Sequence, residues 1–268
     1  MIKQVIKPTQ TLLAGLVLGI SMATPALAED FVSTSKATDM IELYTSEGCS
    51  SCPRADRWLS TFKNQTIRNK HFANNPVLFR DVIPMAFHVD YWDYIGWKDR
   101  FANPVYSERQ RQHVRQGNTN QSYTPQFVTN SNEWRAWFSG NRDWQANDKT
   151  VGVLKASVHD NSTQLFVRFN PQRNVGSSST QPTHYVLNVA VLGMGLKSHV
   201  TAGENIDTML HHDFVVLNHH QQTVAANPSQ WNLNMPAIPN SGQTKSALVV
   251  WLSEPNTQRT IQATGGYL

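Results

Sequence analysis

The spacing of hydrophobic positions changes twice along this chain. The first apolar stretch, residues 12–22, follows Lys3 and Lys7 and ends before Ala26-Leu27-Ala28, a small-residue spacing suited to signal peptidase. Residues 1–28 therefore read as a secretory signal, since the apolar run falls short of the roughly 20 residues of a membrane span. Residues 29–38 form a polar leader. A buried strand is expected over 40–45, then a loop at Ser46-Glu47-Gly48 and a helix over about 50–63, with Trp58, Leu59 and Phe62 at helical spacing. Val82-Ile83-Pro84-Met85-Ala86-Phe87-His88-Val89 reads as a second buried strand. Residues 91–101 alternate aromatic and charged side chains and read as a packed loop or lid. Residues 107–115 are compatible with a helix, and 123–129 with a strand entered through Pro125. From about residue 151 the pattern becomes that of strands, at 153–158, 164–169, 184–192, 214–217 and 247–252, separated by Gly, Asn, Pro and Ser clusters.

The formal net charge of +4 falls to +2 once Lys3 and Lys7 leave with the signal, so the basic balance argues for neither nucleic acid nor a membrane surface as partner. A periplasmic or secreted location follows from the signal, and with it an oxidising compartment. No membrane span is expected after signal cleavage.

That compartment gives weight to the two cysteines, Cys49 and Cys52. A C-x-x-C between a strand and a helix is the thioredoxin-type arrangement. The fold class expected is α/β: a thioredoxin-like domain over 39–145 with an inserted aromatic-rich segment, plus a β-rich C-terminal portion over 146–268, as a sheet or sandwich. At a helix N-terminus Cys49 is the expected nucleophile, because backbone N–H groups and the helix dipole favour its thiolate. Cys52 is the expected resolving thiol, and Pro53 suits a first helical turn. Thr124-Pro125, before a core strand, is the expected platform for a substrate backbone, with a cis bond expected by fold analogy. His88 and Asp90 alternate at a strand end and are possible neighbours of the cysteine pair.

Other chemistries compete for the same residues. A structural disulfide closing so short a loop would give only about 2 kcal/mol, against about 4.7 for a 100-residue loop. A zinc site usually has four Cys or His ligands; no second cysteine pair exists, although His88, His211 or His212 can contribute. His211-His212-Asp213, with Glu204 upstream, suggests metal only if the side chains converge; a contact between the two halves is the other reading. His219-His220 and the two glutamines after them read as a solvated turn. Phosphate-loop, G-x-S-x-G and H-E-x-x-H motifs are absent.

The run from Ile41 to Leu59, with Tyr-Thr-Ser-Glu-Gly-Cys-Ser-Ser-Cys-Pro-Arg-Ala-Asp at its centre, resembles a bacterial secreted family catalogued as domain of unknown function 1223. Ala86 to Asp99, Tyr123-Thr124-Pro125-Gln126, Gly203-Glu204-Asn205 and Leu210-His211-His212-Asp213 extend the resemblance, which covers about residues 39–253. It implies a thioredoxin-like domain with an insertion and a β-rich C-terminal portion, and no particular reaction. The chain departs from ordinary thioredoxins in having Gly48 before the first cysteine and Ser50-Ser51 between the two. The buried carboxylate that assists a thioredoxin's resolving cysteine has only Glu42 as a rough counterpart.

The expected function is thiol–disulfide exchange on protein thiols, with a protein thiol or disulfide as substrate, a further redox partner, and no cofactor or metal. The alternatives are a Cu(I)- or Zn(II)-handling module using the same thiols, and a redox-silent domain that binds an envelope partner.

Overall fold

A computed structural model describes Met1 and residues 28–63, 76–140, 146–159, 163–172 and 182–268. Most of the expected signal segment, and residues 173–181 with their run of serines, lie outside the described residues. In chain order the elements are β1 (Ala28–Val32), β2 (Asp39–Thr45), α1 (Cys52–Ser60), β3 (Val82–His88), α2 (Pro104–Arg115), β4 (Gln126–Thr129) and β5 (Asn132–Glu133). They continue with β6 (Gly152–His159), β7 (Gln164–Pro171), β8 (His184–Met194), β9 (Leu196–Val200) and β10 (Thr208–His212). The last four are β11 (Val215–Ala225), β12 (Gln230–Asn234), β13 (Lys245–Ser253) and β14 (Thr260–Tyr267).

The expected α/β thioredoxin-like class is overturned: the described chain is mostly β, with two α-helices among fourteen strands arranged in several sheets. The strand–helix–strand stretch at 39–88 suggested an α/β layer, but its sheet does not end there. Eight strands run in the order β14-β13-β8-β11-β3-β2-β4-β5, so strands from both sides of residue 146 hydrogen-bond in one sheet. The junction is the parallel contact of Val215 in β11 with Ala86 in β3. A second sheet, β1-β6-β7-β12, packs on one face of the large sheet, against β8, β11 and β13.

Burial explains this arrangement. Every residue of β2 and β3 is buried, as suits central parallel strands with both faces covered. On one face α1 packs Ala55, Trp58 and Leu59 into the core; on the other α2 buries Tyr106, Arg109 and His113. Asn103 caps α2 by accepting a 3.0 Å hydrogen bond from the Val105 N–H, and Pro104 occupies the first turn. In the second half β7 alternates strictly, with Leu165, Val167 and Phe169 inward, against Leu187, Val189, Leu248 and Val250 of the large sheet. The polar leader contributes β1, which pairs antiparallel with β6 and turns Phe31 into this core.

Glu42 and Tyr44 face α2, opposite to Thr45, so Glu42 is not the carboxylate on the cysteine side. It accepts two hydrogen bonds from Arg109, at 2.9 and 2.6 Å, and one from the Tyr44 hydroxyl at 2.7 Å. Burial alone would raise its pKa, but Arg109 and His113 outweigh it and hold the carboxyl well below its usual 4.5. Glu42 therefore contributes stability that is present above about pH 4.5 and is lost as the pH falls toward its depressed folded value. Glu42→Gln leaves Arg109 buried without its counter-charge. We expect it to lower unfolding free energy by about 3–5 kcal/mol in urea titrations at pH 7, and the difference from wild type to shrink as the pH is lowered below 4.5.

Candidate functional site

β2 ends at Thr45, and the chain passes through Ser46, Glu47 and Gly48 into the Cys49–Cys52 disulfide, from which α1 starts. The helix begins at Cys52 rather than near residue 50, because Cys52 and Pro53 form its first turn, and a 3-10 turn at Thr61–Lys63 completes the expected length. Cys49 precedes Ser51, the N-cap, whose side chain makes no capping hydrogen bond. The Ser51 hydroxyl instead lies 3.4 Å from Cys49 Sγ, and since a disulfide sulfur carries no hydrogen, Ser51 is the donor.

Ser50 and Ser51 are exposed, but Cys49 and Cys52 are only 1% and 0% exposed. The cover comes from two places. Ile95 sits against Gly48 and Gly203: a side chain at Gly48 would meet Ile95 Cδ1 and Trp92 Cβ at 3.1 Å, and one at Gly203, where φ is +77°, would meet Ile95 at 2.9 Å. From the second half of the chain, the Asn205 amide donates to the carbonyls of Glu47 at 2.8 Å and Cys49 at 3.0 Å. Glu204 Oε2 accepts from the Ser50 N–H at 3.0 Å.

Behind the loop lies a buried group of ionisable side chains. Glu47, from the loop, accepts from Trp97 Nε1 at 2.8 Å, and its Oε1 approaches His212 Nε2 at 3.2 Å, off the line of a hydrogen bond. Asp56, one helical turn after Cys52, accepts from the Thr45 hydroxyl at 2.9 Å. His88, at the end of β3, meets Asp99 Oδ2 through Nδ1 at 2.7 Å, and Asp99 also accepts from the N–H groups of Glu47 and Phe101. The rings of His88 and His212 stand edge to face, 5.0 Å apart, with Phe101 against both. Burial opposes a charge on His88, but Asp99 more than offsets it and carries the imidazole up to about 9. Burial pushes the Asp56 carboxyl up.

The residues proposed from sequence divide around this group. His88 lies in it, hydrogen-bonded to a carboxylate, whereas Asp90 turns away to the Ser107 hydroxyl on α2. Thr124-Pro125 is a cis peptide, and the β2–β4 register, with Tyr44 opposite Gln126, puts it at the same sheet end as the disulfide loop. Thr124 Oγ1 accepts from Trp92 Nε1 at 2.6 Å, which links it to the residue packed on Gly48. His211, His212 and Asp213 do not converge: His211 is exposed, His212 joins the buried group, and Asp213 pairs with Lys63 at 2.7 Å. The aromatic stretch is a cover tied down by Trp92 and Trp97; of its aromatic side chains only Tyr94 is largely exposed. Asp56, Glu47, Asp99 and Asn205 were missed. Asp56 had a readable signal, since it follows Cys52 by four residues and shares its helix face.

Asn205→Ala removes two hydrogen bonds that hold the loop over the disulfide. At about 1 kcal/mol each, their loss should speed reduction by dithiothreitol roughly 5- to 30-fold, read by thiol labelling over time. Ser51→Ala should slow alkylation of reduced Cys49 at pH 7 about tenfold, because the hydroxyl within hydrogen-bond reach of that sulfur, which would favour a thiolate there, is gone.

The fold resembles two solved structures. Protein AGR_C_4864 from Agrobacterium tumefaciens is 20% identical, with a TM-score of 0.53, over 87% of this chain and 95% of its own. HBP35 of Porphyromonas gingivalis is 11% identical, with a TM-score of 0.51, over 88% of this chain and 76% of its own. At these identities the likeness concerns the fold. No curated protein matches the chain. A family model described as "Protein of unknown function (DUF1223)" matches residues 40–253, most of the chain, which therefore belongs to the DUF1223 family.

Proposed function

We propose that this protein is an exported thiol–disulfide oxidoreductase acting on protein thiols in the periplasm or outside the cell. The observation that carries the reading is the Cys49–Cys52 disulfide at the start of α1, with the Ser51 hydroxyl on Cys49 Sγ. In the oxidised form a substrate thiolate attacks Cys49 Sγ, the Cys49–Cys52 bond breaks, and Cys52 leaves as a thiolate. A second substrate thiolate then attacks the substrate sulfur of the mixed disulfide and Cys49 leaves. The substrate loses two electrons to form its disulfide, and the cysteine pair gains them. Run in reverse, Cys49 thiolate opens a substrate disulfide and Cys52 resolves the adduct. Thr124-Pro125, at the same sheet end, is the surface along which a substrate backbone would lie.

Exchange requires Cys49 to be uncovered, so the Glu204–Asn205 segment or Ile95 must move. That burial favours a second reading, a redox-silent envelope interaction domain in which the disulfide only ties the loop to α1. The two are separated by trapping. Cys52→Ser, expressed in the exporting cell, should accumulate mixed disulfides visible on a non-reducing gel, and Cys49→Ser should accumulate none. Exchange surviving in Cys49→Ser, or no adduct with Cys52→Ser, would contradict the oxidoreductase reading and leave the silent one.

A further inference from the structure

We infer that Asp56, His88 and His212 form a binding site for a divalent transition-metal ion such as Zn2+, directly behind the disulfide loop and without thiolate ligands. The three side chains come from α1, β3 and β10, and each offers a ligand atom within 4.8 Å of the other two. All three are buried, at 5%, 0% and 2% exposure.

The atoms that remain free point to a cation. Asp56 Oδ2 is taken by the Thr45 hydroxyl, and its Oδ1 faces His212 Nδ1 at 3.9 Å, too far for a hydrogen bond. His88 Nδ1 is engaged by Asp99, which leaves Nε2 buried with no hydrogen-bond partner. His212 Nδ1 is likewise buried and unpartnered, while Glu47 approaches its other nitrogen. Buried polar atoms without partners are rare and costly. Here two imidazole nitrogens without partners and one weakly engaged carboxylate oxygen occupy a single group.

The outer partners fit as well. A metal-binding histidine usually gives its second nitrogen to a carboxylate, which fixes the ring and its tautomer. Asp99 has that place for His88, Glu47 stands beside His212, and Thr45 holds Asp56. Two histidines and one carboxylate are a recognised set for zinc with a fourth position open. Zinc–ligand bonds of about 2.0–2.2 Å need ligand atoms about 3.4 Å apart, so small side-chain rotations would close the group. Three carboxylates around two imidazoles suit a divalent cation.

The inference is independent of redox activity, because none of its ligands is a cysteine. Its test uses the full exported chain with the disulfide intact, stripped with a chelator, equilibrated slowly with ZnSO4 because the site is buried, and desalted. About one zinc per chain should remain, with the melting temperature raised by roughly 5–10 °C at a hundredfold excess over Kd. Asp56→Asn and His212→Gln should each weaken binding at least tenfold, and Asp99→Asn, acting through His88, by about 10- to 100-fold. Circular dichroism checks that each variant is folded. Replacing both cysteines by serine should leave binding unchanged, and Co2+ in the wild type should give visible d–d bands without sulfur charge transfer. Three results would overturn the inference: no stoichiometric zinc on the disulfide-intact wild type, meaning water bridges these atoms; binding only after reduction, meaning the thiols hold it; or full affinity in both ligand variants.

Discussion

The arrangement around the cysteines depends on one constraint: ionisable groups taken out of water must meet partners. Glu47, Asp56, Asp99, His88 and His212 are all buried, and each comes from a different piece of chain. An isolated charge in that position would cost several kcal/mol, so the loop, α1, β3, the aromatic cover and β10 are stable only when they converge. The disulfide sits within this frame. Glu47 lies two residues before Cys49 and Asp56 four after Cys52, so both flanks of the C-x-x-C are anchored to the same interior group. The C-x-x-C segment is thereby held in place from behind, while Asn205 and Glu204 hold it from in front.

The same constraint explains why the second half of the chain cannot be treated as an appendage. β11 continues the sheet from β3 through Val215, and the paired β9 and β10 bring His212 onto the back of the loop. Residues that control access to the disulfide and residues that support it therefore lie more than 150 positions away in sequence. On that side, Cys49 is uncovered only when the contacts of Glu204 and Asn205 break.

Much of the front of the molecule was legible in the sequence. Residues 40–45 and 82–88 are apolar enough on both faces to be central strands, and Trp58, Leu59 and Phe62 mark the buried side of α1. The fold class was not legible, because strand–helix–strand order around a C-x-x-C says nothing about what lengthens the sheet at its other edge. β1 was hidden because only Phe31 of the leader is both large and inward. The polar run at 219–222 read as a turn, yet it belongs to β11; beyond Val216 that part of the strand has β8 as its ladder partner, and residues 220–222 are exposed. At the site, the C-x-x-C motif marked the cysteines, and alternation at a strand end marked His88. Asp56, Asp99 and Glu47 were lost because a buried charge looks like any surface charge until its partner is placed, and His212 is placed only by the β9–β10 pairing.

In the proposed role, the Cys49–Cys52 bond is a working redox couple rather than a tie between a loop and a helix. Its reduction potential, measured by equilibrating the purified protein with glutathione buffers and trapping thiols at each ratio, decides this most directly. A working couple should give a value between about −120 and −270 mV, where exchanging dithiols lie. A value below about −300 mV would contradict it and identify the disulfide as a structural one.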